Sequence, residues 1–222
     1  MPTGIDFVAA APLLLVALTL GYLLGSIPFG LLFTRLAGLG DIRAIGSGSI
    51  GATNALRTGN RWVAGGTLIG DAGKGAVAIF IISLLAAKTG TDASWMTGLA
   101  ALGAFLGHLY PVWLGFKGGK GVATFIGILL MLYWPVGLLF CATWAIVALV
   151  SRYSSLSALV SALLTPLYLA WLSQWNTIAL SVVLVVLIYV AHRENISRLL
   201  AGTEPRIGAK NPDGPSPDTK EI

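Results

Sequence analysis

Residues 122–150 read VATFIGILLMLYWPVGLLFCATWAIVALV and contain no charged side chain. A helix needs about 20 apolar residues to cross the hydrocarbon core of a bilayer. The stretch is therefore long for one membrane span and short for two. Trp134-Pro135 lies near its middle, and proline disfavours helical geometry in the residue before it. Two structures remain possible on this evidence: one long span, or two short spans joined by a hinge at Pro135.

The composition of the chain excludes the water-soluble classes of protein. Of the 222 residues, 56% are hydrophobic and only 10% are charged, whereas about 25% is usual for a soluble domain. The mean hydropathy of +0.84 also excludes intrinsic disorder, because disordered chains are poor in apolar residues. We therefore expect an integral membrane protein.

The distribution of basic residues decides between one span and two for residues 122–150. The other candidate spans are the apolar segments 5–33, 62–87, 95–113, 156–172 and 177–191. Arginine and lysine concentrate in segments 34–61 and 116–121, at Arg152 and after residue 191. All of these fall on one side of the membrane, as the positive-inside rule requires, only if residues 122–150 form two short spans. The prediction is an all-α bundle of seven transmembrane helices, with the amino terminus outside and the carboxyl terminus in the cytoplasm.

The chain is predicted to hold one transmembrane domain, residues 1–202, followed by a flexible cytoplasmic tail, residues 203–222. The tail contains four of the ten prolines and no apolar run. Three glycine pairs spaced by four residues would let helices approach closely, and we interpret them as packing surfaces: Gly21 and Gly25, Gly66 and Gly70, Gly103 and Gly107.

Cysteine and histidine are too scarce for a disulfide framework or a typical zinc site. Cys141 is the only cysteine and lies inside an apolar run, and the histidines are His108 and His192. No metal and no cofactor is therefore predicted.

The first of four polar clusters at the predicted cytoplasmic face is segment 46–57, GSGSIGATNALR. Glycines let consecutive backbone N–H groups turn toward one point, which forms a nest for an anion, and an arginine fork matches phosphate or carboxylate. The alternative is a flexible loop whose arginine only fixes the topology, but the density of small polar residues favours binding. The candidate binding residues here are Gly46, Ser47, Gly48, Ser49, Thr53, Asn54 and Arg57.

The second cluster is GDAGKG, residues 70–75, inside an apolar stretch. Asp71 and Lys74 are three residues apart, so on a helix they share a face and can neutralise each other. An intramembrane ion pair of this kind is a candidate substrate-binding pair. A buried pair with a purely structural role is an equally good interpretation, and both stay open.

The third cluster is KGGKGVAT, residues 117–124, which immediately opens an apolar helix. The amides of a helix amino terminus and two ammonium groups together favour a bound anion. The segment is not an ATP-binding loop of the Walker type, because Leu114 and Gly121 stand where glycine and Ser/Thr are required. Positive-inside anchoring is the alternative, but it leaves the glycines unexplained. The candidate binding residues are Lys117, Gly118, Gly119, Lys120, Gly121 and Thr124, whereas His108 upstream is interpreted as a buried histidine.

The fourth cluster follows the last apolar span. His192, Asn195 and Arg198 recur every third residue, so one stripe of a helix presents all three; the alternative is a solvated helix end with basic flanks. The sequence contains no G-x-S-x-G, no H-E-x-x-H and no paired catalytic carboxylates. The chemistry therefore depends on recognising and positioning anions, and an already activated acyl donor fits that requirement.

Five segments of the sequence together resemble a known family. Residues 25–30 (GSIPFG), 46–57, 70–75, 117–124 and 192–198 (HRENISR) are similar, in order and spacing, to the bacterial acyl-phosphate-dependent glycerol-3-phosphate acyltransferases, the PlsY family. The resemblance implies a seven-helix bundle in the bacterial inner membrane with a site facing the cytoplasm. It implies transfer of an acyl chain from acyl phosphate to the 1-hydroxyl of glycerol 3-phosphate, giving lysophosphatidic acid.

The resemblance also implies roles for individual residues. The family's motif residues fall on a set of five that would hold glycerol 3-phosphate and support catalysis: Ser47, Arg57, Lys120, His192 and Asn195. We assign segment 117–124 to the phosphate of the donor and expect the acyl tail to lie among apolar helices open to the bilayer. The expected partners are glycerol 3-phosphate, acyl phosphate and membrane lipids, and no nucleic acid.

A transporter or channel for a small phosphorylated or anionic solute is the rival function. It would need polar residues that continue toward the outer face, and the first and the last two predicted helices, helices 1, 6 and 7, have almost none across their middles. A non-catalytic membrane scaffold would leave all four clusters of glycine and cations unexplained.

Overall fold

A computed structural model of the chain describes residues 7–208, and this part of the chain contains α-helices, short 3-10 turns and no β-strand. The helices in chain order are α1 (Phe7–Gly25), α2 (Phe29–Leu36), α3 (Ala52–Ala55), α4 (Arg61–Thr89), α5 (Ala93–Leu109), α6 (Val122–Ser151), α7 (Ser154–Trp171), α8 (Trp175–Ala191) and α9 (Arg193–Leu200). The predicted all-α fold is confirmed.

Most of the helical chain is long and apolar enough to cross a bilayer. Five stretches meet this requirement by length and composition: Phe7–Leu36, Arg61–Thr89, Ala93–Leu114, Val122–Ser151 and Ser154–Trp171. Helices α8 and α9, bent by 61° at the residue between them, provide a sixth if they count as one span. The predicted class, an integral membrane protein, is confirmed, while the number of seven spans and the orientation of the termini stay predictions.

Helix α6 folds back on itself near its middle. Tyr133 has non-helical backbone angles, φ −157° and ψ 88°. The rings of Phe125 and Phe140 lie 5.6 Å apart, although 15 residues of straight helix would separate them by about 22 Å. The chain therefore reverses two residues before Pro135, whose ring clashes with the preceding helical turn. The reversal returns Arg152 to the end of the bundle where α6 begins.

Glycines bring α1 and α5 into close contact. A Cβ atom on Gly21 or Gly25 would overlap the backbone of α5, and one on Gly103 or Gly107 would overlap the backbone of α1. In the third pair, a Cβ on Gly70 would meet the ring of Phe29 within 3 Å. The small-residue faces are packing surfaces, as predicted, and they fix the helices that carry the polar clusters.

The largest apolar core lies among α4, α5, α6, α7 and α8. Phe105, Phe125 and Phe140 are fully buried there and meet edge to face. The core places the loops before α6, before α7 and after α8 at one end of the bundle.

Residues 203–208 pack against the turn between α6 and α7. The amide of Ile207 donates to the carbonyl of Arg152 at 2.7 Å, and the guanidinium of Arg206 lies over the ring of Tyr153 at 5.5 Å. This packing differs from the flexible tail predicted to begin at residue 203, because the short segment after α9 finds specific polar partners. Residues 209–222 of that predicted tail lie outside the described residues.

Candidate active site

Three of the four polar clusters found in the sequence meet at one end of the bundle. The Nζ atom of Lys120, before α6, donates to Oδ1 of Asn195, on α9. The hydroxyl groups of Thr53, on α3, and Ser154, at the start of α7, lie 3.1 Å apart. Segments separated by up to 101 residues in the chain are thus in direct contact.

A carboxylate completes the contacts around Asn195. Oε1 of Glu204 accepts hydrogen bonds from Oγ of Ser155 and from Nδ2 of Asn195, both at 2.6 Å. Oε2 of Glu204 accepts from Nε of Arg198 at 2.7 Å, and the Glu204 side chain is 6% exposed. Because Glu204 takes the amide nitrogen of Asn195, the amide oxygen is left for Lys120.

The predicted stripe of three residues is present only in part. Asn195 and Arg198 project together from α9, as their spacing predicted, and both bind Glu204. His192 lies instead at the bend between α8 and α9, where Nδ1 is 2.8 Å from the carbonyl of Ile188. The chain bends by 61° between α8 and α9, so α9 begins after His192, and this residue is not on the helical face of Asn195 and Arg198. His192 remains close enough for an electrostatic interaction with Lys120.

Burial makes Lys120 a weaker base than an ordinary lysine. It lowers the pKa of Lys120 to about 8; the charges of Arg198 and Arg57 also lower this pKa, while those of Glu204 and Glu194 raise it. Arg57 lies close enough to Lys120 to act on it electrostatically. Burial raises the pKa of Glu204, but hydrogen bonds from Ser155, Asn195 and Arg198 outweigh it, so this pKa lies below its ordinary value. Cations that repel one another in a partly buried site favour a bound anion.

Asn54 organises segment 46–57 instead of facing the site. Its Nδ2 group donates to the carbonyls of Ile42, Ile45 and Ser49, and its Oδ1 accepts from the amide of Ser47 at 3.1 Å. Asn54 is buried and its amide group is fully used. The prediction that Asn54 binds substrate gives way to a supporting role.

Arg57 is held next to the glycine turn of the same segment. Gly46 has φ 56°, and a Cβ on it would overlap the guanidinium and the side-chain methylenes of Arg57. Ser47, the neighbour of Gly46, is half-buried. The turn therefore carries the serine and the arginine that the sequence singled out, side by side.

The glycines before α6 are only partly available to an anion. The amide of Gly118 donates to the carbonyl of Leu109, and that of Gly119 to the carbonyl of His108, both at 3.0 Å. The end of α5 takes these two amides, so the predicted anion site of residues 117–124 depends on the first amides of α6 and on the two lysines. Gly121, at φ 84°, caps the start of α6, and the first amides of α6 have no partner within the helix. Lys117 is exposed, unlike Lys120.

The predicted pair of Asp71 and Lys74 is present but lies beneath the site. Nζ of Lys74 is 2.9 Å from Oδ1 of Asp71, and both side chains are almost completely buried. Nδ1 of His108 faces the same carboxylate oxygen at 3.6 Å. Thr124 is also fully buried, and its hydroxyl has no hydrogen-bond partner among the described residues. The predicted binding role of Asp71, Lys74 and Thr124 stays a prediction, and all three are almost completely buried.

Sequence reasoning missed Glu204, which it placed in a mobile tail. Nothing in the local pattern marks this residue: Arg198 and Asn195 lie six and nine residues before it, but the contact with Ser155 joins it to α7, 49 residues away. Within residues 7–208, no group of three or more His, Cys, Asp or Glu side chains is placed to hold a metal ion. Neutral donors and fixed cations are the chemistry that this site offers.

Known proteins provide a direct comparison for this arrangement. A family model described as glycerol-3-phosphate acyltransferase matches residues 15–202. The glycerol-3-phosphate acyltransferase of Bradyrhizobium diazoefficiens is 59% identical over 195 residues, which is 88% of this chain and 96% of the relative. That of Mesorhizobium japonicum is 57% identical over 197 residues, covering 89% and 97%. The crystal structure of PlsY, an integral membrane glycerol 3-phosphate acyltransferase, in its glycerol 3-phosphate form, is similar at a TM-score of 0.77 and 36% identity. The structural alignment covers 90% of this chain and 96% of the PlsY chain.

Proposed function

Because the chain belongs to the glycerol-3-phosphate acyltransferase family, we propose that it transfers a fatty acyl group from acyl phosphate to the 1-hydroxyl of sn-glycerol 3-phosphate. The products are lysophosphatidic acid and inorganic phosphate. The observation that carries the proposal is the cluster of Arg57, Lys120 and Asn195 at one end of an apolar bundle. Two phosphates must enter one partly buried site, and their repulsion is severe there unless cations offset it.

Glycerol 3-phosphate binds to the cations of this cluster. Lys120 and Arg57 contact the phosphate oxygens through charge-assisted hydrogen bonds. Asn195 and Ser47 add neutral donors, and His192, whose Nδ1–H donates to the carbonyl of Ile188, accepts a glycerol hydroxyl at Nε2. The contact between Lys120 and Asn195 opens when the phosphate enters, because an amide oxygen is a weaker acceptor for an ammonium group than a phosphate oxygen.

The donor phosphate binds at the start of α6. The first amides of the helix and the ammonium of Lys117 are available there, while those of Gly118 and Gly119 are taken. Trp113 and Phe116 precede this segment and are both exposed, so apolar surface adjoins the cations. The acyl tail reaches the site along this surface from the bilayer.

The transfer needs positioning more than a protein nucleophile. The glycerol hydroxyl oxygen attacks the acyl carbonyl carbon, a new ester bond forms, and the bond between that carbon and the phosphate oxygen breaks. The hydroxyl proton passes to a phosphate oxygen of glycerol 3-phosphate. In residues 7–208 no Ser, Thr or Cys side chain is hydrogen-bonded to either histidine, so a direct attack is favoured over an acyl-enzyme. Alignment of two bound reactants alone contributes several kcal/mol, on the order of 7 to 11.

The basic end of the bundle faces the cytoplasm, and the protein resides in the bacterial inner membrane. Arg57, Lys120 and Arg152 lie at the same end, in agreement with the positive-inside rule. The soluble substrate, glycerol 3-phosphate, reaches the site from the cytoplasm, and the acyl donor and the product remain among the membrane lipids.

Purified protein in proteoliposomes tests the proposal. With palmitoyl phosphate and radiolabelled glycerol 3-phosphate, we expect labelled lysophosphatidic acid and one phosphate released per acyl chain transferred, and no product with palmitoyl-CoA. Uptake of labelled glycerol 3-phosphate without acyl transfer would replace the proposal with a transporter. A labelled acyl group trapped on Ser47 or Cys141 would refute the direct attack.

A matched pair of variants tests the assignment of the two lysines. Lys120→Ala removes a cation from the cluster around Asn195 and should raise the KM for glycerol 3-phosphate. Lys117→Ala removes an exposed cation beyond that cluster, so the KM for glycerol 3-phosphate should stay within about threefold of the wild type, since surface charges contribute little. Equal effects of the two substitutions would contradict the assignment.

A further inference from the structure

The ion pair of α4 and a histidine of α5 form a buried polar cluster that the reaction described above does not use. Asp71, Lys74 and His108 are 1%, 4% and 3% exposed. Oδ1 of Asp71 lies 2.9 Å from Nζ of Lys74 and 3.6 Å from Nδ1 of His108. Lys74 also donates to the carbonyl of Ile27, at the break between α1 and α2. The cluster therefore joins three parts of the bundle at one point.

Removing the charged groups of this cluster from water costs free energy, and packing alone does not explain why they are buried. Replacing a buried ion pair by well-packed apolar residues is often neutral or stabilising. A buried ion pair without a substrate contact is therefore weak evidence for a stabilising role. Such a pair can instead fix the positions of the residues around it.

His108 is the member of the cluster that touches the segment before α6. Its carbonyl accepts from the amide of Gly119 at 3.0 Å. Its ring packs on Gly119 so closely that a Cβ at that position would overlap Nε2. Gly119 does not lie in the left-handed region, so glycine is required there for space beside the ring and not for its backbone conformation. Lys120 is the next residue.

We propose that His108, held by the pair of Asp71 and Lys74, is a positioning residue for Lys120. Its ring and carbonyl fix the backbone at Gly119, and this fixes the direction in which Lys120 leaves the chain toward Asn195. The carboxylate of Asp71 lies 3.6 Å from Nδ1, beyond hydrogen-bond distance, and orients the ring by electrostatic attraction, with Nε2 against Gly119. Lys74 neutralises that carboxylate and anchors it to the α1–α2 break. This inference rests on the proposed function, in which Lys120 binds the phosphate of glycerol 3-phosphate.

Gly118 provides a matched control for the contact with the ring. A Cβ on Gly118 would overlap the backbone carbonyl of His108 and would lie 2.5 Å from Cδ of Pro111 and 2.6 Å from the carbonyl oxygen of Leu109. Shortening the side chain of residue 108 does not remove either carbonyl. A Cβ on Gly119 meets chiefly the ring of His108, which the same substitution removes.

The experiment is a pair of double-mutant cycles in the full-length protein, with the KM for glycerol 3-phosphate as the readout. His108→Ala and Gly119→Ala should each raise this KM about tenfold or more, the loss expected from a misplaced charge-assisted contact. The change in the KM for acyl phosphate should be smaller than this, because in the proposed function Lys117 and the first amides of α6, and not Lys120, bind the donor. The double variant H108A/G119A should be no worse than H108A alone, whereas H108A/G118A should be at least as impaired as the product of the single effects.

The outcomes separate this inference from the proposed function. A wild type without acyl transfer to glycerol 3-phosphate refutes the function itself. An active wild type with additive losses in both cycles overturns only the positioning role, and so does an H108A variant that loses thermal stability with an unchanged KM. If Gly119→Ala does not fold, recovery of folded protein in H108A/G119A but not in H108A/G118A, with the KM of H108A retained, supports the inference. Failure of that recovery contradicts it.

Discussion

Raising the pH above 8 should weaken the use of glycerol 3-phosphate through one side chain, Lys120. Burial and the neighbouring cations hold the pKa of Lys120 near 8, well below its ordinary 10.5. The ammonium form that binds phosphate is therefore present below this pH and is lost as the pH rises through it. At pH 9 about one molecule in eleven keeps the charge.

The assay is kcat/KM for glycerol 3-phosphate between pH 6 and 10, which reports ionisations of the free enzyme. We expect a decline of about tenfold per pH unit above 8. A phosphate ester becomes a dianion near pH 6, so the maximum lies between roughly 6 and 8. In kcat, which reports the complex, the alkaline limb should move to higher pH, because the bound dianion favours the charged lysine.

Lys120→Arg is the control for this profile. The guanidinium stays charged throughout the range, so the alkaline limb should disappear even though the absolute rate falls. Initial rates need correction for hydrolysis of acyl phosphate at each pH. A wild-type profile that stays flat to pH 9.5, or an identical decline in the arginine variant, would refute the reasoning.

Four further predictions concern substitutions and truncations of the chain. Arg57→Ala should raise the KM for glycerol 3-phosphate by about 10- to 150-fold, equivalent to a charge-assisted hydrogen bond of 1.5 to 3 kcal/mol, and unchanged steady-state kinetics would contradict this. Glu204→Gln should lower the free energy of unfolding by about 1 to 3 kcal/mol at pH 7; because the pKa of Glu204 is lowered by folding, the difference in Tm should vanish as the pH falls below that pKa. A chain ending at residue 208 should keep its activity, whereas one ending at residue 202 loses Glu204 and should be impaired; equal rates would remove Glu204 from the site. Gly103→Val should destabilise the contact of α1 with α5 by about 1 to 3 kcal/mol, while Gly98→Val, which meets no neighbour within 4 Å, should not, and thermal unfolding compares the two.

Features governed by local pattern and by the membrane could be predicted from the sequence. The length of the apolar stretches predicted long apolar helices. The spacing of the glycines predicted close packing, which is present between α1 and α5, and the three-residue spacing predicted the ion pair of Asp71 and Lys74. The reversal within α6 followed from the distribution of basic residues, because a hairpin is the arrangement that returns Arg152 to the basic end.

Contacts between distant segments could not be predicted in this way. Glu204 contacts Ser155, 49 residues away, only because the folded bundle brings α7 beside it. The amides of Gly118 and Gly119 look free in the sequence, and they are occupied because the end of α5 lies beside them. The side chain of Asn54 could bind a ligand, but its amide group instead donates hydrogen bonds to backbone carbonyls of its own loop.

A structure of the protein with glycerol 3-phosphate bound tests the central claim most directly, namely that Arg57 and Lys120 hold the phosphate of the acceptor at the basic end of the bundle. We expect phosphate oxygens within about 3 Å of the Arg57 guanidinium and of Nζ of Lys120, with Asn195 next to them. A phosphate bound elsewhere, with Lys120 still on Asn195, would contradict it.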